Sequence, residues 1–178
     1  ARRYLTGALA LAPRCHPVMH ALAMTFHREG DDMTAREWFQ RAIDLHDASC
    51  LYHQNLAVTC RQVGDVPGAI RAYERAIALS EDLARRSQVL DALGSLLANE
   101  RGDLIEAVAR FREAVQSDPR NTRARRNLAV ALIERNELPE ARQQLREAID
   151  LRGNWAAAHA TLAYADLQAG DLPAAEAK

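Results

Sequence analysis

The densest concentration of side chains able to do chemistry is the run RNTRARR, which brings Arg120, Arg123, Arg125 and Arg126 together. Three of them fall in the opening turn of an expected helix, where each exposed cation opposes the helix dipole by about 0.3 to 1 kcal/mol. Arginines kept there against local preference suit a ligand carboxylate, from an acidic residue or a peptide's terminal carboxyl group, held by two parallel N–H bonds. The other use for such a cluster is a solvated face, or guanidiniums turned back onto carbonyls at the end of the preceding helix. A second group, His16, His20 and His27, contains a pair at i, i+4 spacing that could hold a metal. No carboxylate or cysteine shares that face at ligand spacing, so neither metal nor cofactor is expected and the three read as surface histidines. Cys15, Cys50 and Cys60 form no CxxC pair. They indicate neither a disulfide framework nor a zinc site, and they favour a reducing, cytoplasmic setting. Cys60 falls on a buried phase and reads as a small core residue. There is no GxSxG, no phosphate-cradling glycine loop and no carboxylate pair beyond generic helix faces, so an enzyme is not expected.

These groups need elements to place them, and the elements repeat. Ala1, Ala35, Ala69, Ala107 and Ala141 recur with an aromatic residue or leucine four positions on and a further alanine seven on, and Ala175 continues the series. The spacing is 34 residues except for one interval of 38. Such a period marks stacked supersecondary units, none of which can bury its apolar face alone. Each unit is punctuated into two helices by Gly30-Asp31, Gly64-Asp65, Gly102-Asp103 and Gly170-Asp171. The glycine supplies a left-handed stop and the aspartate the next start. Asn136-Glu137 takes that slot once, Asn being the residue other than Gly that best tolerates positive φ. Pro67, Pro139 and Pro173 then sit in first turns, where a missing N–H costs little.

The pattern predicts helices over 1–12, 17–29, 33–46, 51–63, 67–80, 87–101, 104–117, 122–135, 138–151 and 156–169, with a stub from 172. With no Pro or Gly between Gly68 and Gly94, the helix starting at 67 is expected to outrun its peers. The extra residues of the long interval are placed around Ser80 to Arg86 and in the turn before Gly102. Residues 1–15 form the second helix of a partial repeat, 16–49, 50–86, 87–121 and 122–155 are full repeats, and 156–178 is a partial one. The whole is a single array that runs off both ends of the sequence, as a window cut from a longer solenoid would.

The first helix of each pair carries a leucine and a small residue: Leu22-Ala23, Leu56-Ala57, Leu93-Gly94, Leu128-Ala129 and Leu162-Ala163. With the recurrent alanines and the closing Pro13 and Pro119, this resembles the tetratricopeptide repeat over nearly the whole sequence. Departures are the missing tryptophan early in the first helix, and Asp47, Glu81 and Gly153 where a closing proline is usual. The fold class that follows is all-α, an α-solenoid of antiparallel helix pairs, which in this family winds as a right-handed superhelix. With 35 alanines against 5% aromatic residues, its interior must come from closely approaching backbones. Enlarging Ala69 or Ala141 is expected to overpack that contact by about 1 to 3 kcal/mol.

The resemblance further implies a concave wall built from first helices. Counted from each Leu-small pair, that wall would present His20 and Met24, then Asn55, Arg61 and Val58, then Asp91, Ser95 and Asn99. Arg123, Arg126, Asn127, Val130 and Glu134 follow, and Tyr164 and Gln168 end the series. In such repeats an asparagine directly before the leucine points into the groove and holds a peptide backbone. Asn55 and Asn127 occupy that place, while Ala21, Ala92 and Thr161 interrupt the ladder. The lysine and asparagine clamp of chaperone-tail-binding members is absent, its positions reading His20, Met24, Asn55, Gln88 and Ala92. His53 and His159 share one phase and belong to the repeat rather than to a site.

The function implied is a non-catalytic protein interaction scaffold that binds a peptide or partner helix in the groove. Asn55, Arg61, Arg123, Arg126, Asn127, His20 and Tyr164 are its anchors, and an acidic ligand is favoured. A net charge of −1 gives no global field for nucleic acid or a membrane surface, and no apolar run is long enough to span a bilayer. Two other readings remain. One is a substrate-recruiting arm of a larger enzyme such as a bacterial glycosyltransferase. The other is a scaffold that self-associates end to end through uncovered terminal repeats.

Overall fold

A computed structural model of the protein describes residues 1–170 as ten α-helices joined by tight turns. The expected stub from 172, with Asp171, Pro173 and Ala175, lies outside the described residues. The helices form two compact units, the first comprising Ala1–Glu81 and the second beginning at Asp82. The first holds α1 (Arg2–Leu11), α2 (His16–Arg28), α3 (Asp32–Leu45), α4 (Cys50–Gln62) and α5 (Val66–Ala78). The second holds α6 (Leu83–Arg101), α7 (Leu104–Ser117), α8 (Thr122–Glu134), α9 (Leu138–Leu151) and α10 (Ala156–Gln168). Within each unit every helix packs on the next, and in the second unit α8 also touches α6 and α10. The protein is an all-α solenoid of helix pairs.

The punctuation works as its chemistry requires. Asp31, Asp65 and Asp103 cap α3, α5 and α7 by accepting from the backbone N–H three residues on. Asn136 ends its turn at φ 61°, in the left-handed region that the other turns give to glycine. The recurrent Ala35, Ala69, Ala107 and Ala141 are fully buried, as are Ala42, Ala76, Ala114 and Ala148. Phe39, Tyr73, Phe111 and Leu145 are buried as well, as are the leucines of the Leu-small pairs.

The long interval resolves differently from expectation. The helix starting near 67 is no longer than its peers, since α5 ends at Ala78; the long helix is the next one, α6, of 19 residues. Asp82 is the cause. Its backbone is extended, and its carboxylate accepts from the Arg85 N–H, so the added residues start α6 four positions earlier than 87.

Candidate functional site

The first helices carry the expected anchors, and a rule of pairing governs three of them, His20, Asn55 and Asn127. The residue two before the leucine in one first helix bonds to the asparagine one before the leucine in the next. In the first unit the Asn55 amide meets His20 Nε2 at 2.8 Å. In the second, Asn127 Nδ2 donates to Asp91 Oδ1 at 2.8 Å. Both asparagines therefore spend an amide N–H inside the fold.

His20 stacks on Tyr52 with ring centroids 4.4 Å apart and tilts against Phe39. Burial lowers its pKa, favouring the neutral imidazole whose Nε2 can accept from Asn55. His16 stacks on His46 and reaches the Tyr52 hydroxyl at 3.0 Å, while His27 Nδ1 lies 2.5 Å from Asp32 Oδ1. These three histidines are thus engaged, partly buried groups and not the loose surface residues that composition suggested. Their periodicity gave no hint of it, because the partners Tyr52 and His46 come from other helices. Arg61 is exposed near the end of α4.

The arginine run divides by role. Arg125 is 8% exposed and turns inward; Nη1 meets Gln144 Oε1 at 2.7 Å and Glu147 Oε2 at 2.5 Å, while Nε donates to the Pro119 carbonyl. This matches the use of arginine as a cap for carbonyls near the preceding helix. His53 and His159 make the same bond, each to a carbonyl six residues back, which is the physical content of their shared phase. Arg123 donates through Nε to Asp91 Oδ2 at 2.7 Å and leaves the far end of its guanidinium in solvent. Asp91, only 1% exposed, thereby holds two of the expected anchors at once, and Ser95 bonds back to its carbonyl. Asp91 was legible as a wall residue, yet its part in ordering Arg123 and Asn127 is visible only in three dimensions.

Arg126 is different, since its Nε is buried and makes no hydrogen bond with the described residues. It faces a cavity of about 240 Å³ between α6 and α8, lined by Ser95, Asn99, Asn127, Val130 and Glu134 among others. A second cavity of about 430 Å³ adjoins it between α8 and α10 and shares Val130 and Glu134. Tyr164, half-exposed, lines this one with Thr161 and Gln168, and its hydroxyl accepts from Gln168. The second unit therefore gathers Arg126, Asn127 and Tyr164 along one trough, with Arg123 tied to Asp91 beside it. His20, Asn55 and Arg61 belong to the first unit. Among the described residues no cluster of His, Cys, Asp and Glu could hold a metal ion, and no helix is long and apolar enough to cross a membrane.

Comparison with known families decides the assignment. Family models described as tetratricopeptide repeat match residues 53–87 and 98–160, together more than half of the sequence. The chain is a tetratricopeptide-repeat protein. As such it is a protein interaction scaffold. Among curated proteins none matches it. Solved structures share the fold at low identity. YrrB matches with TM-score 0.77 and 16% identity over 98% of this protein and 88% of its own length. MamA from Desulfovibrio magneticus RS-1 gives 0.77 and 16% over 90% and 89%. PilF of Pseudomonas aeruginosa gives 0.74 and 20% over 90% and 72%.

Proposed function

We propose that this tetratricopeptide-repeat protein is a non-catalytic scaffold that binds an extended peptide along the first-helix trough of its second unit. The observation that carries the reading is the pair of adjoining cavities along α8, with Arg126, Asn127 and Tyr164 facing them. A trough of this make-up offers an amide oxygen for a peptide N–H, a guanidinium for a carboxylate, and an aromatic ring for an apolar side chain. Asp91 supports it by holding Asn127 in one orientation, so little side-chain entropy is lost on binding. The structure of YrrB, described as a TPR protein with an unusual peptide-binding site, is a precedent for peptide binding on this fold.

The test is selection from a random peptide library on the intact protein, followed by titration of a selected peptide. Arg126→Ala with Tyr164→Ala should weaken binding by about tenfold or more, with helical content unchanged by circular dichroism. Selected peptides that bind the double variant as tightly as the parent would place the groove elsewhere.

A further inference from the structure

A cavity of about 610 Å³ lies on second helices of the first unit. Its walls are α3 and α5, and its floor is His53, Leu56 and Cys60 of α4. Four arginines line it, Arg36 and Arg41 from α3 and Arg71 and Arg75 from α5, against the carboxylates of Glu37 and Asp65. Asp65 is occupied as the cap of α5 and holds Arg36 at 3.4 Å, a weak pairing. Arg75 is bound by Asp47. Arg41 lies over the Trp38 ring at 4.6 Å, and neither it nor Arg71 has a carboxylate partner among the described residues.

The corresponding positions of the second unit show what such a groove contains when the protein fills it itself. There Arg112 of α7 crosses to α9, with Nε 3.0 Å and Nη2 2.6 Å from the two oxygens of Glu140 and a longer bond to Glu137. Arg125 rises from α8 to Glu147 of α9. Aligned on Ala69 and Ala141, Glu140 corresponds to Gly68, Gln143 to Arg71 and Glu147 to Arg75; aligned on Ala35 and Ala107, Arg112 corresponds to Gln40. In the first unit Gly68 and Arg75 stand where the second has Glu140 and Glu147, Asp65 keeps the acidic place of Glu137, and Gln40 and His53 replace the donors Arg112 and Arg125, so this network is absent and the groove is left with an excess of arginine. His53, at the position of Arg125, bonds Asp47 from the floor of the groove and offers it no guanidinium.

We infer that this groove is a second interaction surface, whose occupant is an acidic segment of a partner protein supplying carboxylates to Arg41 and Arg71, which have none among the described residues, and to the weakly held Arg36. Guanidinium–carboxylate bonds give such a contact directional strength, and a half-enclosed cleft screens them less than open solvent does. The surface is separate from the trough along α8, and its occupancy does not depend on it.

The test uses the intact protein and a short fluorescein-labelled peptide of alternating Glu and Ala, with the Gln-for-Glu peptide as control. Anisotropy should show saturable binding of the Glu peptide that weakens with added salt, and about tenfold or greater loss in Arg41→Gln with Arg71→Gln. Neither arginine has an acidic partner among the described residues, so the double variant should keep its helical content. Arg126→Ala with Tyr164→Ala should leave this binding unchanged. Charge reversal, Arg41→Glu with Arg71→Glu, should transfer preference to a Lys and Ala peptide, an outcome that misfolding cannot produce. Equal binding of the Glu and Gln peptides, no effect of the arginine variants, or an oligonucleotide bound as tightly as the peptide would each overturn the proposal.

Discussion

Gly94 shows how far a single atom can matter in a solenoid built on close approach. It is the one glycine in the small place of the Leu-small pairs, and a Cβ built on it would stand 2.7 Å from the Phe111 ring. That ring is 2% exposed. Gly94→Ala gains up to about 1 kcal/mol of helix propensity but overpacks the core by about 1 to 3 kcal/mol, so the contact wins. Urea unfolding should report a loss of about 1 kcal/mol, and a variant as stable as the parent would show that Phe111 can move. The sequence made the small residue predictable and left its neighbour open: which ring crosses it is set by the angle between α6 and α7. The anchors followed the same division. Asn55 and Asn127 could be placed on a wall from their position alone, but that His20 and Asp91 hold them depends on the stagger between successive first helices.

At the scale of the element, the joints between repeats explain which arginines are structural. Asp47, Pro119 and Gly153 close their repeats with a carbonyl that the fold would leave unpaired, and His53, Arg125 and His159 reach back to it. In the third repeat this position is Leu90, and no such bond is needed there because α6 is already helical from Leu83. Helix boundaries were legible wherever Gly-Asp or Asn-Glu punctuation stands, and failed where a lone Asp82 cap competed with an unbroken apolar run. The prediction that separates capping from charge is made at Arg125. Arg125→Ala removes the joint bond and the pairs to Gln144 and Glu147, for a loss of about 2 kcal/mol, moderated because Glu147 can rehydrate. Arg125→His, copying His53 and His159, should recover about half of that by remaking the bond to the Pro119 carbonyl. Denaturant midpoints of the two variants decide it, and equal losses would assign the whole effect to the ion pair.

Over the whole molecule, three groups with shifted pKa values determine the response to acid. Burial against Tyr52 and Phe39 lowers the pKa of His20 from its ordinary 6.5. The unfolded state then binds the proton first, so stability is present at neutral pH and falls as pH drops below about 6.5. Protonation also removes the Nε2 acceptor used by Asn55, so this loss belongs to the first unit. The Arg75 hydrogen bond lowers the pKa of Asp47 from 3.8, and the Arg112 hydrogen bond lowers that of Glu140 from 4.5. Depressed carboxylate pKa values contribute stability above the unfolded values and lose it as pH falls through the folded ones. Acidification should therefore destabilise the protein in two stages, one beginning near pH 6.5 and one below about pH 4.5. His20→Gln retains a carbonyl acceptor for Asn55 and cannot titrate, so it should abolish the first stage alone. Arg112→Gln releases Glu140 toward its ordinary pKa and should flatten the second without touching the first. Melting temperatures measured from neutral pH down to about pH 3 test both, and a first stage that persists in His20→Gln would move its origin to another histidine.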